Sequence, residues 1–125
     1  MPAYPRPEDL VEFEVSAATD FRFFIDRPSL TVGKEGVVRY TLVARSPAGV
    51  ENVSYEGIRC KTRAFKVYAY GRADRSWVER ASDWRPIDPR GPQRWLNVLW
   101  REYFCPYGIA IHDAADGIAA LKGRR

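Results

Sequence analysis

Histidine and cysteine, the side chains most often recruited for chemistry, are almost missing from this chain. There is one His, His112, and there are two Cys, Cys60 and Cys105, among 125 residues. A structural zinc site takes four ligands as a rule, so no metal site is expected. No Cys-x-x-Cys spacing offers a redox pair. Gly-rich phosphate loops, a Walker motif and a dinucleotide fingerprint are also absent, so no cofactor is expected. No apolar run approaches the roughly 20 residues that a membrane-crossing helix needs. The opening "MPAYPRPEDL" lacks the apolar centre of a signal peptide. It reads instead as an exposed, Pro-rich leader over residues 1–8, at the start of a single domain spanning 1–125.

What remains is the composition of an ordinary globular domain, 46% hydrophobic and 29% charged, which excludes a disordered chain. Aromatics reach 14%, with four Trp, seven Tyr and six Phe, so a few bulky side chains should dominate the core. The net charge is +4. Basic and acidic residues are interspersed, whereas a nucleic-acid binder usually gathers its cations on one face.

The first two-thirds read as strands. "LVEFEV" alternates with a period of two, and "FRFFID" sets Phe21, Phe23 and Ile25 opposite Arg22, Phe24 and Asp26. Pro28 interrupts that pattern, and Gly33 to Gly36 mark a tight turn. "VVRYTLVAR" is the clearest strand, with Val38, Tyr40, Leu42 and Ala44 expected to face the core and Arg39 and Arg45 to face away. "VENVSYEGIRCKTRAFKVYAY" reads as one long β-segment, bulged near Gly57. "GRADRS" is a hairpin loop, "WVER" its returning strand, and "ASDWRPIDPRGP" is irregular. Beyond Pro92, "QRWLNVLWREYF" places Leu96, Leu99, Trp100 and Tyr103 at helical spacing. A second helix fits "DAADGIAALK", with Asp113 as its cap and Gly117 weakening it. Strands followed by helices imply an α+β domain: an antiparallel sheet of about five to seven strands with C-terminal helices on one face.

Candidate functional residues are few. His112 and Asp113 are neighbours, but adjacency in sequence is not the geometry of a triad, and no nucleophile can be assigned to them; no catalytic residue is named. Tyr55, Glu56 and Arg59 cluster around the expected bulge, with Arg39 and Trp84 as candidates to join them. Two readings stand for the cluster: a ligand-facing polar site, or a structural Glu56–Arg59 ion pair. Arg59, Lys61 and Arg63 would form a basic stripe at strand spacing, near Tyr68 and Tyr70, as on sheets that bind single strands. The spacing of Cys60 and Cys105 leaves open whether they form a staple or are two separate buried thiols.

"GVVRYTLVARSPAGVENVSYEGIRCKTR", "VYAYGRADRSWVERASDWRPI" and "YFCP" resemble the CNP-one-like family of bacterial envelope proteins. The resemblance runs from about Asp9 to Leu121. It carries over no catalytic residue, so no enzyme activity is expected. It implies export to an oxidising periplasm with a leader ahead of this numbering, a Cys60–Cys105 disulfide, and a sheet stapled to its first helix. There the sequon Asn52-Val53-Ser54 has little meaning. The expected function is a non-enzymatic envelope binding module for a protein, a peptidoglycan fragment or a small ligand. The alternative is a cytosolic nucleic-acid-binding module using the basic stripe.

Overall fold

The alternating segments pair in chain order. In the computed structural model, which describes residues 1–123, β1 (Leu10–Phe13), β2 (Arg22–Val32), β3 (Val37–Arg45), β4 (Glu51–Arg59), β5 (Ala64–Gly71) and β6 (Trp77–Glu79) form an antiparallel meander. A two-residue strand, β7 (Arg85–Pro86), also pairs with β5, completing a seven-stranded sheet. Connections are short because successive antiparallel strands need only a turn.

Two expectations about strands are corrected. Pro28 does not end its strand: β2 runs through it with a shift of register between Asp26 and Thr31. Ser29 fills the gap, its hydroxyl donating to the Asp26 carbonyl at 2.8 Å and accepting the Thr41 N–H at 2.8 Å. The long segment after Val50 is two strands rather than one. The chain reverses at Cys60–Arg63, where Arg63 takes a left-handed φ of 50° and its N–H bonds the Cys60 carbonyl at 3.3 Å. The bulge falls one pair from Gly57, where Tyr55 faces Ala69 but Glu56 faces Val67, leaving Tyr68 as the extra residue.

One face of the sheet carries the main core. Val38, Tyr40, Leu42, Ile58, Phe65 and Val67 pack there against Leu96, Leu99, Phe104 and Leu121. The first helix is α1 (Arg94–Val98), which continues into a wider π-helical stretch over Leu99–Phe104. Its last turn closes with the Cys105 N–H on the Trp100 carbonyl, five residues back, at 3.0 Å. The wider turn brings Phe104 onto the buried face with Leu99, and both are fully buried. Trp100 and Tyr103 pack partly buried at its margin.

The second helix, α2 (Ala114–Leu121), starts where expected. Asp113 Oδ1 accepts the Asp116 N–H at 2.8 Å, satisfying one of the free donors of the first turn. Gly117 is needed here: a Cβ would lie 2.7 Å from Ile111 Cδ1 and 3.0 Å from Leu30 Cδ2. Cys60 and Cys105 form a disulfide with a Cα separation of 5.4 Å, joining the end of β4 to the end of the first helix.

The leader is only partly exposed. Pro5 is buried, and Tyr4 and Leu10 pack with Trp77 on a second small core of Phe24, Val43 and Val53 across the other face of the sheet. Three hydrogen bonds hold it: Tyr4 Oη to the Arg72 carbonyl, Trp77 Nε1 to the Pro2 carbonyl, and Arg75 Nη2 to the Pro5 carbonyl. This cover explains why Val43, which shares a face with Arg39 and Arg45, is nevertheless buried.

Candidate functional site

Strand pairing decides which of the expected site residues meet. Arg39 lies opposite Gly57 and Thr41 opposite Tyr55. Side chains alternate along a strand, so Arg39, Tyr55, Gly57 and Arg59 share the face away from the helices. Glu56 points to the other face. The proposed Tyr55–Glu56–Arg59 cluster is therefore split, and no Glu56–Arg59 ion pair forms, because residues three apart on a strand lie on opposite sides.

Glu56 belongs to the core. It is 2% exposed, and its Oε1 accepts from Tyr40 Oη at 2.8 Å and from Trp95 Nε1 at 3.1 Å. Its Oε2 takes the Ser54 hydroxyl at 2.7 Å. Burial lifts its carboxyl above the usual range, against the pull of these three donors. The same burial, with the Glu56 charge beside it, raises the Tyr40 phenol well above its ordinary value. Three donors converging on one carboxyl tie the sheet to the first helix.

The other four candidates do come together. The Arg59 guanidinium lies 4.0 Å from the centre of the Trp84 ring. Lys66, opposite Gly57 on β5, reaches both Trp84 and Tyr68, at 6.0 and 5.4 Å. Arg39 donates through Nε to Tyr68 Oη at 3.1 Å and through Nη1 to Glu35 at 2.8 Å. Tyr55 packs on Tyr68 with ring centres 5.4 Å apart, and on Trp77 at 6.3 Å. Burial lifts the Tyr55 phenol above its ordinary value, against the pull of Arg39, so it stays protonated as a donor. The bulge turns Tyr68 across Gly57, where a Cβ would sit 2.9 Å from the ring. Only glycine admits that approach.

Lys66, Tyr68 and Trp77 were not among the candidates gathered around Gly57. The period-two pattern of "FKVY" and the Trp in "SWVER" are the sequence signals that point to them. The face they complete is an aromatic layer edged by three cations, Arg39, Arg59 and Lys66, with cation–π contacts throughout. None of five surface clefts of about 250–580 Å³ is lined by these side chains.

The basic stripe is not a strand face. Only Arg59 is on a strand. Lys61 and Arg63 sit in the turn, where Arg63 lies 4.5 Å over Trp100 and donates to Asn97 at 2.7 Å. His112 is exposed just ahead of α2, and its neighbour Asp113 is committed to the helix cap. Among the described residues, no group of three or more His, Cys, Asp or Glu is placed to hold a metal ion. No described helix is long and apolar enough to cross a membrane.

Comparison with known proteins agrees with the family resemblance. The chain is 29% identical over 116 aligned positions to Cryptic neisserial protein 1 of Neisseria gonorrhoeae (strain ATCC 700825 / FA 1090), covering 82% of this chain and 57% of that protein. It thus spans little more than half the relative's length. No solved structure matches it. The CNP1-like family matches residues 1–122, and with nearly the whole length covered, the chain belongs to the CNP1-like family.

Proposed function

We propose that this domain is a non-enzymatic binding module of the bacterial cell envelope that holds a protein partner on the aromatic, cation-edged face of its sheet. The carrying observation is the Arg59–Trp84 stack at 4.0 Å, continued by Lys66, Tyr68, Arg39 and Tyr55. Trp, Tyr and Arg are the residues that dominate binding energy at protein interfaces, and side chains that line none of the five clefts suit a macromolecule better than a small molecule, which prefers a concave site. The disulfide supports an oxidising compartment, where such bonds persist, and hence the periplasm or envelope.

The test is capture from an envelope fraction. The parent should retain a partner that the Arg59→Ala/Trp84→Ala double variant loses, while both melt at similar temperatures. Equal capture by the two would remove this face from the function. Titration with soluble peptidoglycan fragments separates a small-ligand role: saturable quenching of Trp84 there would replace the protein partner.

A second reading, a cytosolic module that binds single-stranded nucleic acid, draws on Arg59 and Lys66 beside Trp84 and Tyr68, since cations beside stacking rings suit bases and phosphates. The disulfide weighs against it, because the cytosol keeps thiols reduced.

A further inference from the structure

The segment after the disulfide presents its apolar side chains outward. Tyr107 is fully exposed at 101% and Ile109 is 71% exposed, the two largest exposures among the bulky apolar side chains of the described residues. Tyr107 is held in the left-handed region, φ 58° and ψ 24°, which a bulky side chain seldom adopts. Nothing about the loop is slack. Cys105 anchors it through the disulfide, the Gly108 N–H bonds the Cys105 carbonyl at 2.8 Å, Ile109 bonds Pro106 at 3.2 Å, and Ile111 bonds Phe104 at 3.0 Å. A bulky residue in this sparsely populated region persists only when the surroundings enforce it.

The flanks of this loop are basic. Lys34 and Lys61 line the cleft beside Ile109, and Arg101 lines the one beside Tyr107. The single acid in these two clefts, Glu35, is already paired with Arg39 at 2.8 Å. Two projecting side chains make a small footprint. An aromatic residue covers about 150–250 Å², so the pair falls well short of the roughly 800 Å² per partner of a stable protein interface. An apolar tip ringed by cations is instead the composition of an interfacial membrane contact, where the tip enters the headgroup boundary and the cations meet anionic lipid.

We propose that the Pro106–Ala110 loop is a peripheral membrane contact, with Tyr107 and Ile109 inserting among the headgroups of an anionic lipid surface and Lys34, Lys61 and Arg101 pairing with its phosphates. The loop's apolar tip shares no residue with the Arg59–Trp84 face, although Glu35 in the cleft beside Ile109 pairs with Arg39, so separate variants test each assignment.

The experiment uses the oxidised 125-residue chain with two sets of vesicles, phosphatidylcholine alone and phosphatidylcholine with phosphatidylglycerol. The parent should sediment with the anionic vesicles, bind the neutral ones far more weakly, and release as salt rises. The Tyr107→Asn/Ile109→Ser variant should bind about tenfold more weakly. Asn tolerates the left-handed region better than Tyr, so its melting temperature should not fall. Lys34→Glu/Lys61→Glu should lose the preference for anionic lipid, whereas Arg59→Ala/Trp84→Ala should bind like the parent. No binding by the parent, or equal binding by the Tyr107→Asn/Ile109→Ser variant, would overturn the assignment.

Discussion

The indole N–H of Trp95 donates to the Glu56 carboxyl at 3.1 Å, tying the first helix to the middle of the sheet. This contact replaces the expected Glu56–Arg59 pair as the role of Glu56. Glu56 is a carboxyl with three donors and no cation among its hydrogen-bond partners, an arrangement that determines how its loss and its ionisation are felt.

Glu56→Ala should destabilise the domain by about 2 kcal/mol or more, because the Tyr40, Ser54 and Trp95 donors would be buried without a partner. Glu56→Gln keeps an acceptor in place and should cost much less. Chemical denaturation followed by tryptophan fluorescence measures both. A Glu56→Ala variant as stable as the parent would show that these donors find other acceptors.

The pH dependence has a definite sign. Burial raises the folded-state carboxyl of Glu56 above its ordinary 4.5, so between those two values the folded chain holds the proton more often than the unfolded one. Its contribution is fully present below the unfolded value and is lost as pH rises through the folded one. Denaturation series across the mildly acidic range should show the parent losing stability relative to Glu56→Gln as pH increases. Parallel curves would mean that Glu56 ionises as freely in the folded chain as in the unfolded one.

Opening the disulfide should cost several kcal/mol. Cys60 and Cys105 are 45 residues apart, and closing a loop of that length is worth about 4 kcal/mol in the chain-entropy model. Melting with and without reductant should reveal a large drop, and alkylation before reduction should label neither cysteine.

Gly117→Ala sets two effects against each other. Alanine favours a helix by about 1 kcal/mol over glycine, yet its Cβ would press on Ile111 and Leu30 at 2.7 and 3.0 Å. Overpacking a core costs about 1–3 kcal/mol. The net effect should be destabilising, read as a lower melting temperature. A higher one would mean that these two side chains give way freely.

Single-stranded DNA or RNA should not bind specifically at physiological salt. Fluorescence anisotropy is a sufficient assay. A sub-micromolar complex that weakens in Arg59→Ala/Lys66→Ala and at higher salt would favour the nucleic-acid reading over a protein partner.

Local pattern made much of this molecule readable in advance. The alternation of "VVRYTLVAR" identified Val38, Tyr40, Leu42 and Ala44 as core, and all four are buried. Asp113 announced α2 because a cap is a contact between near neighbours. The same period of two separates Glu56 from Arg59, and closeness in sequence obscured it. The reversal at Cys60–Arg63 had no such marker: "CKTR" contains neither Gly nor Pro, and the left-handed residue is an arginine.

By itself, then, the sequence determined most of the strands, the two layers and the face of β3 that meets the helices, because these depend on periodicity over a few residues. The tertiary structure decided the rest. Phe104 became core through a widened last turn closed by a bond five residues back, a spacing that a 3.6-residue period does not anticipate. The Pro-rich leader became a cover because Trp77, more than 70 positions away, donates its indole N–H to the Pro2 carbonyl. Spacing alone left the cysteines undecided between a bond and two thiols, since only the packing of the first helix onto the sheet brings their Cα atoms to 5.4 Å. The aromatic face exists because a bulge in β5 lays Tyr68 across Gly57, a neighbour only after the strands have paired.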